Sequence, residues 1–192
     1  REGYVDLLAE IYPQSRGAWI IGITGPPGGG KSTLTGKLVD VFQQEKKVVG
    51  VIAVDPTSPF SGGAILGDRI RMMELAGKEG VFIRSMASRG SLGGLSPAIP
   101  DTISLMEAFG CQVILVETVG VGQSEVDIVR TADTTVVVLT PAGGDSVQTI
   151  KAGIMEIADI FVINKADLPG ADRTATEINM MLDMNGSKKC RP

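Results

Sequence analysis

Histidine is missing altogether from the 192 residues, and cysteine occurs only as Cys111 and Cys190. Two thiols make no disulfide framework, so a reducing compartment is expected: the cytoplasm, or the mitochondrial matrix if the source is eukaryotic. Cys111 reads as a small buried hydrophobe and Cys190 as a free surface thiol. Without histidine or a cysteine pair, the chain also lacks the ligand set of a zinc or nickel site. Aromatic residues are only 4% of the total, so any core must be aliphatic. No basic block is present, and 18 Lys and Arg against 22 Asp and Glu leave a net charge of −4. A nucleic-acid partner, which demands a basic stripe, is therefore not expected. The apolar runs fall far short of the roughly 20 residues that span a bilayer, and no secretory leader is visible. The pattern starts and stops in mid-element, which reads as part of a longer chain.

What the chain has in excess is glycine, 25 residues, gathered in clusters between apolar runs. With 43% hydrophobic and 21% charged residues, the composition is that of a globular domain. Residues 4–12 carry Val5, Leu8 and Tyr12 at helical spacing, and Pro13 is expected to stop that run. The segment 1–16 is read as the end of an N-terminal helical extension, and 17–192 as one nucleotide-binding domain. Within the latter, strands are expected at 18–24, 47–54, 81–84, 113–116, 134–139 and 160–163. Helices are expected at 34–44, 68–76, 97–109, 147–158 and 171–184. This alternation predicts an α/β fold of the P-loop NTPase type, a mostly parallel sheet with helices on both faces.

Three motifs carry chemistry. The first, Gly25-Pro26-Pro27-Gly28-Gly29-Gly30-Lys31-Ser32, fits G-x-x-x-x-G-K-[ST] between an apolar strand and a helix. Glycines let the backbone curl so that successive N–H groups face phosphate oxygens, and the following helix N-terminus adds its dipole. Lys31 brings a charge to the β- and γ-phosphates, the Ser32 hydroxyl is a Mg²⁺ ligand, and Gly28, Gly29 and Thr33 complete the phosphate site. The second motif, Asn164-Lys165-Ala166-Asp167, follows an apolar strand. A carboxylate there accepts two hydrogen bonds from guanine, which adenine cannot donate. Asn164 would brace the loops and the stem of Lys165 would cover the base. Alone, this tetrapeptide is a polar strand-to-loop turn; several βα units after a P-loop, it is a guanine reader. The third motif is Ile114 to Gln123, an apolar strand ending in the acid Glu117, where a carboxylate orders the metal. Gly120 then stands where its N–H can meet the γ-phosphate. Read blandly, Glu117 is a solvated loop acid.

Asp55 and Asp68 flank the loop after the second strand, and carboxylates beside a triphosphate require an intervening cation. The expected metal set is thus Ser32, Asp55, Asp68 and Glu117, and the expected catalytic set Lys31, Glu117 and Asp68. Arg71 and Arg89 could neutralise phosphoryl charge, but read first as solvated or ion-paired surface residues. Met72, Met73, Met180, Met181 and Met184 read as core packing.

Taken together, GITGPPGGGKSTL, VIAVDPTSPFSGGAILGDRIRM, SRGSLGG, ETVGVGQSE, TPAGGDSVQ and NKAD resemble the MeaB/ArgK/MMAA family of G proteins, in the SIMIBI class of P-loop GTPases. The resemblance runs from about Trp19 to Asp167. It implies slow Mg-GTP hydrolysis by a chaperone of an adenosylcobalamin-dependent acyl-CoA mutase, typically methylmalonyl-CoA mutase, gating cofactor loading and protecting or reactivating the enzyme. It also implies a homodimer in the full-length protein, through a C-terminal arm beyond Pro192. By the same resemblance, Asp55, Asp68 and Glu117 match an acidic cluster at the metal, and Gly120 to Gln123 a switch loop. Residues 141–151 match a mobile coupling loop, with Asp145 and Lys151 as candidate contacts. The family usually continues into a second guanine-binding loop with small residues, which this sequence does not reach. Competing readings are a metallochaperone GTPase, a small-molecule P-loop kinase and a transport-associated ATPase. The first lacks Cys/His ligands, the second leaves NKAD and ETVG unexplained, and the third needs an adenine preference that Asp167 opposes.

Overall fold

The computed structural model describes residues 3–56, 75, 77–88, 98–118, 128–141 and 158–184. Six strands, β1 (Trp19–Thr24), β2 (Val49–Pro56), β3 (Val81–Ser88), β4 (Val113–Thr118), β5 (Thr134–Leu139) and β6 (Ile160–Ile163), form one sheet in the order β3-β2-β4-β1-β5-β6. All pairings are parallel. A parallel sheet is stable when both faces are covered, and the helices provide the cover. Helix α1 (Tyr4–Ile11) precedes the sheet, α2 (Lys31–Gln44) links β1 to β2, α3 (Ala98–Phe109) precedes β4, and α4 (Ala171–Met184) follows β6.

Alternation along each strand sorts the side chains between two cores. Ile21, Ile23, Val49, Val51, Leu115, Val136 and Val138 face one side, where Val39 of α2 is buried and Leu34, Leu38 and Phe42 pack at helical spacing. Ile52, Val54, Ile114 and Val116 face the other, under Ile99, Ile103 and Met106 of α3. Val137 and Leu139 extend that second face and meet Ile178 and Met181 of α4. The aliphatic core and the two-faced parallel sheet are as the composition predicts. Met180 is a correction: it is 59% exposed, because α4 turns Thr174, Ile178 and Met181 inward. Met72 and Met73, and the side chain of Met184, lie outside the described residues.

Other boundaries also differ from expectation. Strand β3 runs to Ser88 instead of residue 84, because β2 pairs with it throughout, from Val49↔Val81 to Pro56↔Ser88. Strand β4 runs to Thr118 instead of residue 116, since β1 and β2 hold it from both sides, with Ile23 and Ala53 both opposite Glu117. Helix α2 begins at Lys31, three residues before the apolar periodicity does. Pro13 does not end the N-terminal helix outright; it sits in a 3₁₀ turn, Tyr12–Gln14, that extends it. That turn is fastened by Glu107 of α3, whose carboxylate accepts hydrogen bonds from the Ser15 hydroxyl and from the Ala18 N–H at 2.8 Å. The helices expected at 68–76 and 147–158 fall outside the described residues except for Leu75, which is helical, and Ala158, which is not.

Candidate functional site

All six strands run the same way, so the carboxyl ends of β1, β4, β5 and β6 open onto one rim, where ligands of open α/β sheets bind. On that rim lies the turn from β1 into α2. Gly25, Gly28 and Gly30 have φ of 138°, 73° and 86°, a region that side chains avoid. At Gly25 a Cβ would strike the carbonyl of Val138 on β5, and at Gly30 the side-chain amide of Asn164. At Gly28 a Cβ would meet nothing within 4 Å, so the space beside it is open. Gly30 gives α2 no side-chain cap, and the first-turn N–H groups of the helix point toward this turn. Lys31, 6% exposed, donates to the carbonyls of Gly25 at 2.8 Å and Pro26 at 3.0 Å. Its ammonium is thus held over the loop that it follows. Thr33 is exposed on the first turn.

Glu117, 4% exposed, is no solvated loop acid. Its Oε1 accepts the Ser32 hydroxyl at 2.6 Å, and Oε2 lies 2.9 Å from the Thr35 hydroxyl. A buried carboxylate needs such partners. Thr35 was not among the residues expected from sequence; the three- and four-residue spacing of Ser32, Thr35 and Val39 along α2 puts it on the face of Ser32 but does not reveal Glu117 as its partner. Beside this pair, the buried Thr118 and Thr24 hydroxyls join at 3.0 Å across β4 and β1.

The NKAD segment meets the P-loop directly. The Asn164 amide donates to the Gly29 carbonyl at 2.9 Å, and the Lys165 ammonium to that of Gly28 at 3.0 Å. Lys165 adopts a left-handed φ of 56°, uncommon for a residue with a side chain. Asp167 is exposed in the turn that follows. Residues 25–32, Glu117 and 164–167 are therefore brought to one rim. The backbone of Asp55 lies near the end of β2, while its side chain, together with Asp68, Arg71, Arg89, Gly120, Asp145 and Lys151, lies outside the described residues.

A hydroxyl and a carboxylate side by side at a helix N-terminus are hard oxygen donors, which suits Mg²⁺ held by few protein ligands plus phosphate. Among the described residues no three His, Cys, Asp or Glu side chains gather as a metal cage.

Over residues 1–191 the chain matches the family described as Methylmalonyl Co-A mutase-associated GTPase MeaB. A Pyrococcus abyssi protein named as a GTPase is 63% identical over 183 residues, covering 95% of this chain and 56% of that protein. GTPase ArgK of Escherichia coli is 47% identical, covering 84% and 49% respectively. The mouse methylmalonic aciduria type A homolog, named as mitochondrial, is 45% identical over 77% of this chain and 35% of its own. The chain thus spans about half the length of the curated relatives it matches, or less. Among solved structures, that of LAO/AO transport system kinase superposes with a TM-score of 0.73 at 33% identity, over 96% of this chain and 53% of its own. Hydrogenase maturation factor HypB from Archaeoglobus fulgidus, at 20% identity and a TM-score of 0.62, covers 92% of this chain and 84% of its own and shares the fold.

Proposed function

The chain belongs to the methylmalonyl-CoA mutase-associated GTPase family, and on that premise we propose that it binds Mg-GTP on this rim and hydrolyses it to GDP and phosphate. The observation that carries the reading is a pair of contacts on the β1–α2 turn: Ser32 at the helix start meets Glu117 near the end of β4, and Asn164 after β6 clasps Gly29. The loop amides and the N-terminus of α2 receive the phosphates. Lys31 exchanges the carbonyls of Gly25 and Pro26 for phosphate oxygens and keeps its charge beside the transferred group. Ser32 would hold Mg²⁺, with Glu117 accepting the serine proton and so aiming its oxygen lone pairs outward. When bound, Mg²⁺ would supply positive charge that offsets the negative charge developing during hydrolysis. Asp55, Asp68 and Gly120 are proposed to complete the metal and γ-phosphate contacts. Asp167 is proposed to read guanine, its exposed carboxylate accepting both donors of the base edge.

Parallel titration of GDP and ADP tests the base assignment. GDP should bind more tightly, and Asp167→Asn should narrow the gap by about 1–3 kcal/mol. Equal affinities in the unmutated protein would remove the guanine reading.

We further infer that hydrolysis times the action of a chaperone for an adenosylcobalamin-dependent acyl-CoA mutase. The family's name and that of the mouse relative support this. A homodimeric full-length protein, a helical extension at 1–16 and a nucleotide domain at 17–192 belong to the same proposal. So does a location in the cytoplasm or mitochondrial matrix. No helix among the described residues is long and apolar enough to cross a membrane. Pull-down of a coenzyme B12-dependent mutase, with GDP and with a non-hydrolysable GTP analogue, tests the role. Nucleotide-sensitive capture is expected, and no capture in either state would refute it.

A further inference from the structure

We propose that Thr35 is a positioning residue for Glu117, fixing the plane of its carboxylate so that one oxygen stays aimed at Ser32. The proposal rests on the reading that Glu117 serves Mg-GTP. Ser32 and Thr35 stand one turn apart on α2, and each places a hydroxyl on a different oxygen of the same carboxylate, at 2.6 and 2.9 Å. Thr35 is 1% exposed, and Glu117 is locked at the backbone between Ile23 and Ala53. The backbone therefore fixes where the acid starts, but the last torsion of a glutamate is broad, so its plane must be set by its partners. The Ser32 hydroxyl anchors one oxygen and the Thr35 hydroxyl the other. Anchors on two oxygens define the plane of the carboxylate.

The Thr35 hydroxyl also lies 3.0 Å from the Lys31 carbonyl. It has one proton and two acceptors, and a carboxylate is the stronger of the two. The Lys31 carbonyl is an intrahelical acceptor in any case, since α2 continues through residue 35. Turning the proton to Glu117 thus leaves the helix intact. In this arrangement the backbone carbonyl offers the threonine proton an alternative that strands no helical group.

Thr35→Val keeps the branched shape and removes only the hydroxyl. In that variant the affinity for GDP in the absence of metal should stay within twofold, because it depends on the P-loop backbone and NKAD. The half-saturating Mn²⁺ concentration in the presence of GDP, read by the electron paramagnetic resonance of free Mn²⁺, should rise several-fold. The kcat for GTP should fall by about tenfold with little change in KM, as expected when a group acting in the transition state is misplaced. Thr35→Ser should restore both quantities, and Thr35→Ala serves if the valine variant does not fold. In a Glu117→Gln background, Thr35→Val should add little further loss. Unchanged Mn²⁺ affinity and kcat in Thr35→Val would overturn the proposal. So would a serine variant as impaired as the valine one, or full additivity with Glu117→Gln. If the unmutated protein neither hydrolyses GTP nor binds Mn²⁺ with GDP, the underlying nucleotide reading falls, and the role of Thr35 falls with it.

Discussion

Gly25 shows how little room the site leaves at single residues. Its φ of 138° and the carbonyl of Val138 both exclude a side chain, so Gly25→Ala must displace β5 backbone or unwind the P-loop. A loss of stability of about 1–3 kcal/mol is expected from the backbone strain alone, measurable by urea unfolding. Gly28→Ala meets no neighbour, so it should cost about 1 kcal/mol for its φ and act mainly on nucleotide affinity. Cys111 makes a different prediction. Burial pushes its thiol up to about 11 from an ordinary 9.0, so at neutral pH it is protonated and sheltered. In a Cys190→Ser background, reaction with a thiol reagent at pH 8 should therefore follow unfolding and accelerate with urea. The sign for stability follows from the same shift. An unfolded thiol releases its proton first, so stability contributed by Cys111 is complete below pH 9 and declines as the pH rises from about 9 to about 11. A Cys111→Ala variant should show a flatter decline over that range.

Elements are held by contacts that strand and helix patterns announce only in part. Strands β5 and β6 and helix α4 begin and end where β-branched runs and 3.6-residue periodicity place them. Strands β3 and β4 outrun their apolar stretches because neighbouring strands supply hydrogen bonds past the last aliphatic residue. That extension carries Glu117 out of solvent and into the ladder, where Thr35 reaches it. The meeting of the P-loop with the 164–167 turn was legible because the glycine spacing lies between strand and helix and the polar tetrapeptide follows a later parallel strand, so both fall on one rim of the sheet. Thr35 was not, because periodicity says which residues share a helix face but not which strand that face meets. Nor does any local pattern single out Glu107, a helix acid 8% exposed that holds Ser15 and Ala18 across a long stretch of chain. Glu107→Ala would leave the Ala18 N–H and the Ser15 hydroxyl without that acceptor. It should cost about 1–3 kcal/mol, read as a lower urea midpoint.

At the scale of the whole molecule, the site is a junction, since β1, β4 and β6 each send one piece to it. A nucleotide bound there ties separate parts of the sheet together, and should stabilise the fold by linkage. With GDP at a hundred times its Kd, about 2.7 kcal/mol is expected, a rise in Tm of roughly 5–10 °C for a domain of this size. The same concentration of ADP should give much less, and calorimetry can compare the two. The strand order has a further consequence, in time. Strand β1 lies between β4 and β5, the latter more than a hundred residues later in the chain, so a growing polypeptide makes β1, β2 and β3 before the strand that must slip between β1 and β2. The sheet cannot grow outward from its first strand, and such distant pairings make folding slow. Trp19, the single tryptophan, sits at this late junction, its indole N–H on the Thr134 hydroxyl of β5 at 3.0 Å and its ring edge-on to Phe42. In a refolding experiment its emission should therefore settle only in the last phase, after circular dichroism has already recovered the signal of the helices.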